Sequence, residues 1–220
     1  MGAVNPPPLD VSALMRVGPV IAVLTIERAA DAVPLARALA AGGVKVLEVT
    51  LRTPDALAAI AAIAREVPEV IVGAGTVLNP RDLERAEQAS AQFAVSPGLS
   101  EPLVKASAES ALPFLPGVAT ASELMRGLDA GLEHFKFFPA EAAGGAATLK
   151  ALQGPFAQCR FCPTGGITAV NARGYLALPN VLCVGGGWLA PTEAIAAGDW
   201  SSITDLARAA NRLPFPAERA

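Results

Sequence analysis

Residues 44–52, Val44-Lys45-Val46-Leu47-Glu48-Val49-Thr50-Leu51-Arg52, run straight into Thr53-Pro54 and an alanine-rich apolar stretch that ends near Val67. The first stretch has the β-branched, apolar content of a strand buried on both faces, and the second has the length and spacing of a helix. Side chains alternate along a strand, so Val46, Glu48, Thr50 and Arg52 share one face while Leu47, Val49 and Leu51 share the other. The apolar set suits packing against helices. The opposite face carries a carboxylate and a guanidinium near the strand's carboxyl end. An internal Glu48–Arg52 ion pair would merely neutralise both, but two charges on the inward face of an apolar strand favour chemistry.

The same strand–helix unit repeats from end to end. The expected strands are Val20–Leu24, Val44–Leu51, Ile71–Gly75, Phe93–Val95, Phe114–Leu115, His134–Phe137, Arg160–Cys162 and Val181–Val184. The expected helices are Ala30–Ala41, Pro54–Val67, Pro80–Ala89, Ser100–Ser110, Ala121–Ala130, Ala146–Gln153, Ala169–Leu176 and Pro191–Ala197, with a closing helix Ser201–Leu213. Thr53-Pro54 and Asn79-Pro80 each place a capping residue before a proline at the first helical position. Gly42-Gly43 ends the first helix where a left-handed residue is wanted. Eight βα units in succession imply parallel strands with right-handed crossovers. The first strand–helix turn lacks the Gly-x-Gly-x-x-Gly phosphate fingerprint of an open dinucleotide-binding sheet. The expected fold is therefore α/β, a (β/α)8 TIM barrel, as a single domain over residues 13–220 after a flexible tail of residues 1–12. Catalytic groups then belong at the carboxyl ends of the strands.

Composition narrows the function classes. The chain has 220 residues, is 52% hydrophobic and carries a formal net charge of -3. A size of this kind suits one α/β barrel. Scattered charges with no basic block argue against a nucleic-acid partner. Met1 to Pro8 lacks a basic region followed by an apolar core, and Ala56 to Ala64 is far too short to span a bilayer, so neither a signal peptide nor a membrane partner is expected. Three cysteines in a chain this long do not make a disulfide scaffold and suit a reducing, cytoplasmic setting. Cys159 and Cys162 are three apart in a strand and point to opposite faces, so they cannot easily share one metal ion. With Cys183 they read as packing residues, and no metal site is expected.

Lys136 is the most informative single residue. It is one of four lysines and sits in His134-Phe135-Lys136-Phe137-Phe138-Pro139, among aromatics. Burying an ammonium is expensive unless it finds a partner or becomes neutral, and a neutral lysine among apolar neighbours is a good nucleophile for a ketone. The plainer alternative is a strand-end lysine that snorkels to water. Alternation puts His134, Lys136 and Phe138 on one face and Phe135 and Phe137 on the other. His134, the sole histidine, reads as a packed or solvated residue rather than a catalyst. Other strand ends carry small or polar groups: Gly73-Ala74-Gly75-Thr76, Ser96-Pro97-Gly98, Cys162-Pro163-Thr164-Gly165-Gly166 and Gly185-Gly186-Gly187-Trp188. Glycine turns after the last two strands are where barrels often hold phosphate on backbone N–H groups.

Taken together, Glu48-Val49-Thr50-Leu51-Arg52-Thr53, Gly73-Ala74-Gly75-Thr76-Val77-Leu78, Ser96-Pro97-Gly98, Phe135-Lys136-Phe137-Phe138-Pro139-Ala140-Glu141 and Pro163-Thr164-Gly165-Gly166-Ile167 closely resemble the 2-keto-3-deoxy-6-phosphogluconate (KDPG) aldolases. The resemblance covers nearly the whole chain beyond the first dozen residues. It implies a class I aldolase of the Entner–Doudoroff route, without a cofactor, on a (β/α)8 barrel and usually a homotrimer in the bacterial cytoplasm. Its products would be pyruvate and glyceraldehyde 3-phosphate. It also implies roles. Lys136 would form a Schiff base with the C2 ketone, and Glu48 would be the general acid/base. Arg52 and Thr76 would hold the carboxylate end of the keto-acid substrate. Thr164 would contact its hydroxylated portion, and Pro97 and Phe138 would shape the wall. Gly165, Gly166, Gly186 and Gly187 would line the phosphate end.

One departure bears on the substrate. Many members of that family read Gly-Gly-Ser-Trp after the eighth strand, whereas this chain has Gly185-Gly186-Gly187-Trp188, without a hydroxyl at Gly187. The same chemistry on 4-hydroxy-2-oxoglutarate or on the galactonate epimer therefore stays open. So do a phosphosugar isomerase or epimerase, which needs no imine, and a ligand-binding barrel without catalysis.

Overall fold

Residues 10–214 are described by a computed structural model in which parallel strands and helices alternate along one domain. The strands are β1 (Val20–Leu24), β2 (Val46–Thr50), β3 (Ile71–Gly75), β4 (Ala94–Val95), β5 (Phe114–Leu115), β6 (Gly117–Val118), β7 (His134–Phe137), β8 (Arg160–Pro163) and β9 (Val184–Gly186). They form a curled six-stranded parallel sheet in the order β5-β4-β3-β2-β1-β9 and a three-stranded one in the order β6-β7-β8. Isolated parallel bridges pair Phe161 with Val181 and Thr164 with Gly185.

Two strand expectations need correction. The fifth strand is longer than Phe114–Leu115 and broken: β5 pairs with β4, and β6 pairs with β7. Pro116 stands at the break, where it has no N–H to give to a ladder but still accepts from Lys136 N at 2.8 Å. The last strand is Val184–Gly186 rather than Val181–Val184, so it runs into the glycines. Gly185 and Gly186 pair with Ile21 and Ala22 of β1. A Cβ at Gly185 would lie 2.2 Å from Thr164 Oγ1, so the absent side chain permits the close approach.

The helices are α1 (Val11–Met15), α2 (Ala32–Ala41), α3 (Ala56–Glu66), α4 (Pro80–Gln88), α5 (Glu101–Glu109), α6 (Ala121–Asp129), α7 (Gly145–Leu152), α8 (Ala172–Leu176), α9 (Thr192–Ala197) and α10 (Trp200–Asn211). Asn79 caps α4, accepting from Asp82 N, and Gly43 is left-handed at φ +93°. Thr53 is not a cap. Helix α3 begins at Ala56, and the Thr53 hydroxyl donates instead to Ile26 O at 2.6 Å. The expected helix Ala169–Leu176 is only five residues, Ala172–Leu176.

Most of the expected tail lies outside the described residues, but Val11 and Ser12 already belong to α1, a helix the sequence reading did not draw. Asp10 caps it through Ala13 N. Leu14 and Met15 pack with Ile21, Val46, Phe93, Val95 and Leu115 on the inner face of the curl. The helix-facing core is larger and contains Leu47, Val49, Phe135, Phe137 and Phe161, which confirms the alternation read in β2 and β7. Phe161 sits 6.3 and 6.5 Å from the Phe135 and Phe137 ring centres, contacts worth about 0.5–1.5 kcal/mol each beyond area burial. Cys159 belongs to the outer core and Cys162 to the inner one, so the two thiols do point apart.

His134, half-buried at the start of β7, has its pKa lowered from 6.5, first by burial and then by Arg160 and Arg16, against the opposing pull of Glu133 and Asp10. A depressed folded value means the neutral ring stabilises the fold fully above pH 6.5, and that contribution is lost as pH falls toward the folded value. The urea midpoint of the wild type is expected to drop more steeply below pH 6.5 than that of His134→Gln. Parallel pH profiles would remove His134 as the cause.

Candidate active site

The inner face of β2 and the inner face of β7 meet at one contact. Lys136 Nζ donates to Glu48 Oε1 at 2.9 Å, and both side chains are almost fully buried, at 6% and 3% exposed. Lys136 neither snorkels to water nor stands alone among aromatics: a carboxylate compensates its burial. Of the outcomes open in the sequence, a partner, a neutral amine or snorkelling, the structure supplies the partner. Glu48 pairs with Lys136 rather than with Arg52. The ammonium also lies 5.3 Å from the Phe138 ring centre, within cation–π range.

Glycine makes room for this pair. A Cβ at Gly75 would fall 2.2 Å from Glu48 Oε1, so the β3 backbone passes directly over the carboxylate. The next residue, Thr76, has φ +59°, a left-handed conformation that strains a β-branched side chain by about 1–3 kcal/mol. Its Oγ1 accepts from Arg52 Nε at 3.3 Å. Arg52 lies beyond the end of β2, in a turn where its N–H donates to Thr50 O, and its side chain is exposed. A guanidinium with no carboxylate partner among the described residues and a strained hydroxyl thus sit together at the rim.

The remaining expected residues lie at or just beyond further strand ends. Pro97 follows β4, and Gly117 of β6 leaves space for it, since a Cβ there would meet the Pro97 carbonyl at 2.3 Å. Gly117 is in register with Lys136, and Lys136 with Cys162. Phe138 lies against Gly165, whose Cβ would come within 3.2 Å of the ring. Thr164 is buried and bonded to Cys162 O at 3.3 Å. Gly165 and Gly166 are left-handed, at φ +99° and +78°. Gly186 pairs with Ala22, and a Cβ on Gly187 would lie 3.5 Å from Val23 O. Pro97 and Gly187 are thus placed by their neighbours on β6 and β1.

A model of the KDPG and KHG aldolases matches residues 11–206. The chain belongs to that family. A KHG/KDPG aldolase of Escherichia coli K12 is 60% identical over 197 residues, covering 90% of this chain and 92% of the relative. A solved KDPG aldolase from Legionella pneumophila, with pyruvate captured as a covalent carbinolamine intermediate, is 51% identical with a TM-score of 0.89 and covers 91% of this chain and 97% of its own. The 2-keto-3-deoxy-6-phosphogluconate aldolase of Zymomonas mobilis ZM4 with 3-phosphoglycerate is also 51% identical, with a TM-score of 0.90 and coverage of 96% and 99%.

In this aldolase-family chain some supporting residues escaped the sequence reading. Thr50 was placed on the inner face but given no role. Its hydroxyl donates to Leu24 O at 2.9 Å and lies 3.1 Å from Thr25 Oγ1, tying the ends of β1 and β2 together. Ser96 Oγ donates to Gly98 O at 2.7 Å and accepts from Gly117 N at 3.4 Å, which orients the Pro97 turn. A polar residue immediately at a strand's carboxyl end was the available signal for each.

Proposed function

We propose that this chain is a class I aldolase that cleaves 2-keto-3-deoxy-6-phosphogluconate into pyruvate and glyceraldehyde 3-phosphate through an imine on Lys136. The observation that carries this reading is the buried 2.9 Å contact of Lys136 Nζ with Glu48 Oε1. It places an amine and a carboxylate where one proton can pass between them. Lys136 gives its proton to Glu48 and attacks the C2 ketone. Glu48 returns that proton to the departing hydroxyl as water, which leaves an iminium and an ionised carboxylate. Glu48 then takes the C4 hydroxyl proton, directly or through a water, as the C3–C4 electrons flow into the iminium. The same group protonates the enamine carbon, and hydrolysis frees pyruvate. Capture of pyruvate as a carbinolamine in the Legionella relative supports the covalent route.

Arg52, with its planar fork, and Thr76 hold the substrate carboxylate. Thr164 meets the hydroxylated carbons, and Pro97 and Phe138 form the walls. Gly165, Gly166, Gly186 and Gly187 take the phosphate. The Gly165 carbonyl is committed to Glu141 N and the Gly166 carbonyl to Asn171 Nδ2, while their own N–H groups donate to no protein acceptor among the described residues. The relative holding 3-phosphoglycerate supports a phosphate-accepting site.

We further read the two sheets as one closed (β/α)8 barrel. The Thr164–Gly185 bridge links β8 to β9, and β5 continues into β6 across Pro116. The homotrimer and the cytoplasmic setting are also proposals, supported by family membership.

A second reading, the same lyase acting on 4-hydroxy-2-oxoglutarate, is favoured by Gly187, which offers no hydroxyl to a phosphate. Turnover with and without the 6-phosphate separates the two. Gly187 is not left-handed, and its Cβ position has only an ordinary 3.5 Å contact, so a serine fits there. Gly187→Ser is expected to raise kcat/KM for the phosphorylated substrate about tenfold or more, by adding one charge-assisted hydrogen bond. Unchanged preference in the variant would place the phosphate elsewhere.

A further inference from the structure

Tyr175 is the only tyrosine in the chain, and it is buried on α8. Its hydroxyl donates to Glu141 Oε1. Glu141 lies five residues after Lys136, on the segment that leaves β7, and no step of the aldol chemistry uses it. Its backbone is tied to the turn after β8: Glu141 N donates to Gly165 O at 3.1 Å, and Ala140 N to Thr164 O at 2.8 Å. Its side-chain stem fills the space beside Gly166, where a Cβ would meet Glu141 Cγ at 2.6 Å. Gly145, at the start of α7, closes the other side: a Cβ there would lie 3.1 Å from the Tyr175 hydroxyl and 3.5 Å from Glu141 Oε1.

The consequence is a turn held from behind. Both glycine carbonyls are drawn toward the scaffold, so the N–H groups are left for an anion. A carboxylate packed against that turn would repel the same anion unless it were held away from it. The phenol supplies that hold. Burial, and then the Glu141 carboxylate, push the Tyr175 pKa upward, which keeps the donor protonated.

We propose that Glu141 and Tyr175 are positioning residues for the phosphate end of the site: the phenol holds the Glu141 carboxylate against α8, and Glu141 holds the Gly165–Gly166 turn with its N–H groups facing the phosphate. This rests on the reading that the substrate phosphate binds at that turn.

The test measures retro-aldol kinetics on 2-keto-3-deoxy-6-phosphogluconate and on its unphosphorylated counterpart, with inorganic phosphate as a competing ligand. Tyr175→Phe, which keeps the ring, and Glu141→Ala are expected to raise KM for the phosphorylated substrate and Ki for phosphate about tenfold. Their kcat stays within about twofold of wild type, and kcat/KM for the unphosphorylated substrate is unchanged. Glu141→Gln, whose amide oxygen still accepts from Tyr175, keeps a KM no higher than wild type. Variants that retain the wild-type preference for the phosphorylated substrate, or that lose both substrates in parallel, overturn the positioning role. A wild type that shows neither preference nor inhibition by phosphate overturns the phosphate assignment itself, and the positioning role falls with it.

Discussion

Lys136→Arg is expected to lower retro-aldol turnover by at least about 10⁴-fold, because a guanidinium stays protonated and forms no imine. Arginine is chosen over alanine for a structural reason. Lys136 is the partner of the buried Glu48 carboxylate. Removing the cation would leave an uncompensated buried charge, at about 3–5 kcal/mol, and the loss of activity would then be confounded with unfolding. Arginine keeps the positive charge opposite Glu48, and a thermal melt checks that the variant folds. Borohydride reduction in the presence of pyruvate, followed by peptide mass mapping, gives the complementary result. The wild type should carry a pyruvyl adduct on Lys136, and the variant should carry none. Normal turnover by Lys136→Arg, or an adduct on another residue of the wild type, would remove Lys136 as the nucleophile.

Glu48→Gln has the second largest expected effect. The amide cannot take the C4 proton, so cleavage should slow by about 10²–10⁴-fold. Imine trapping should survive. The amide oxygen can still accept from Lys136, and an amide offers no negative charge to hold an ammonium in a buried site. A neutral amine therefore remains accessible, although only solvent then supplies the proton that the departing hydroxyl of the carbinolamine needs. Cleavage lost with trapping retained assigns Glu48 to the carbon–carbon step. Loss of trapping as well would move its main duty to forming the imine.

Much of the site was legible because it lies at strand ends, where two-residue periodicity sorts side chains without knowledge of the fold. Glu48 on the inner face of β2, Lys136 on the inner face of β7, and Phe135 and Phe137 on the helix side all follow from alternation. Arg52 was placed by extending that alternation past the true end of the strand, so its position at the rim, bonded to Thr76, came from the turn instead. Errors of another kind arose where residue type misled. Gly185 and Gly186 look like loop but form a strand, because their missing side chains admit Thr164 and Trp188. Thr53 looks like a cap but serves a carbonyl on the neighbouring β1 connection. Val11–Met15 is too short to announce itself, and it is stabilised by what Leu14 and Met15 bury rather than by its own propensity.

Local rules thus settled from residue order alone the alternation of strands and helices and the inward faces of Glu48 and Lys136, while the resemblance of the strand-end motifs pointed to the family. The inward turn of Glu48 and Lys136 was legible, since side-chain direction within one strand needs only the chain's own geometry. That these two, 88 residues apart, become ion-pair partners at 2.9 Å was decided only by the tertiary structure. So was the pinning of Glu141 by Tyr175. Such pairings depend on the register between strands and on where glycines let backbones close in, and no periodicity along a single strand encodes either.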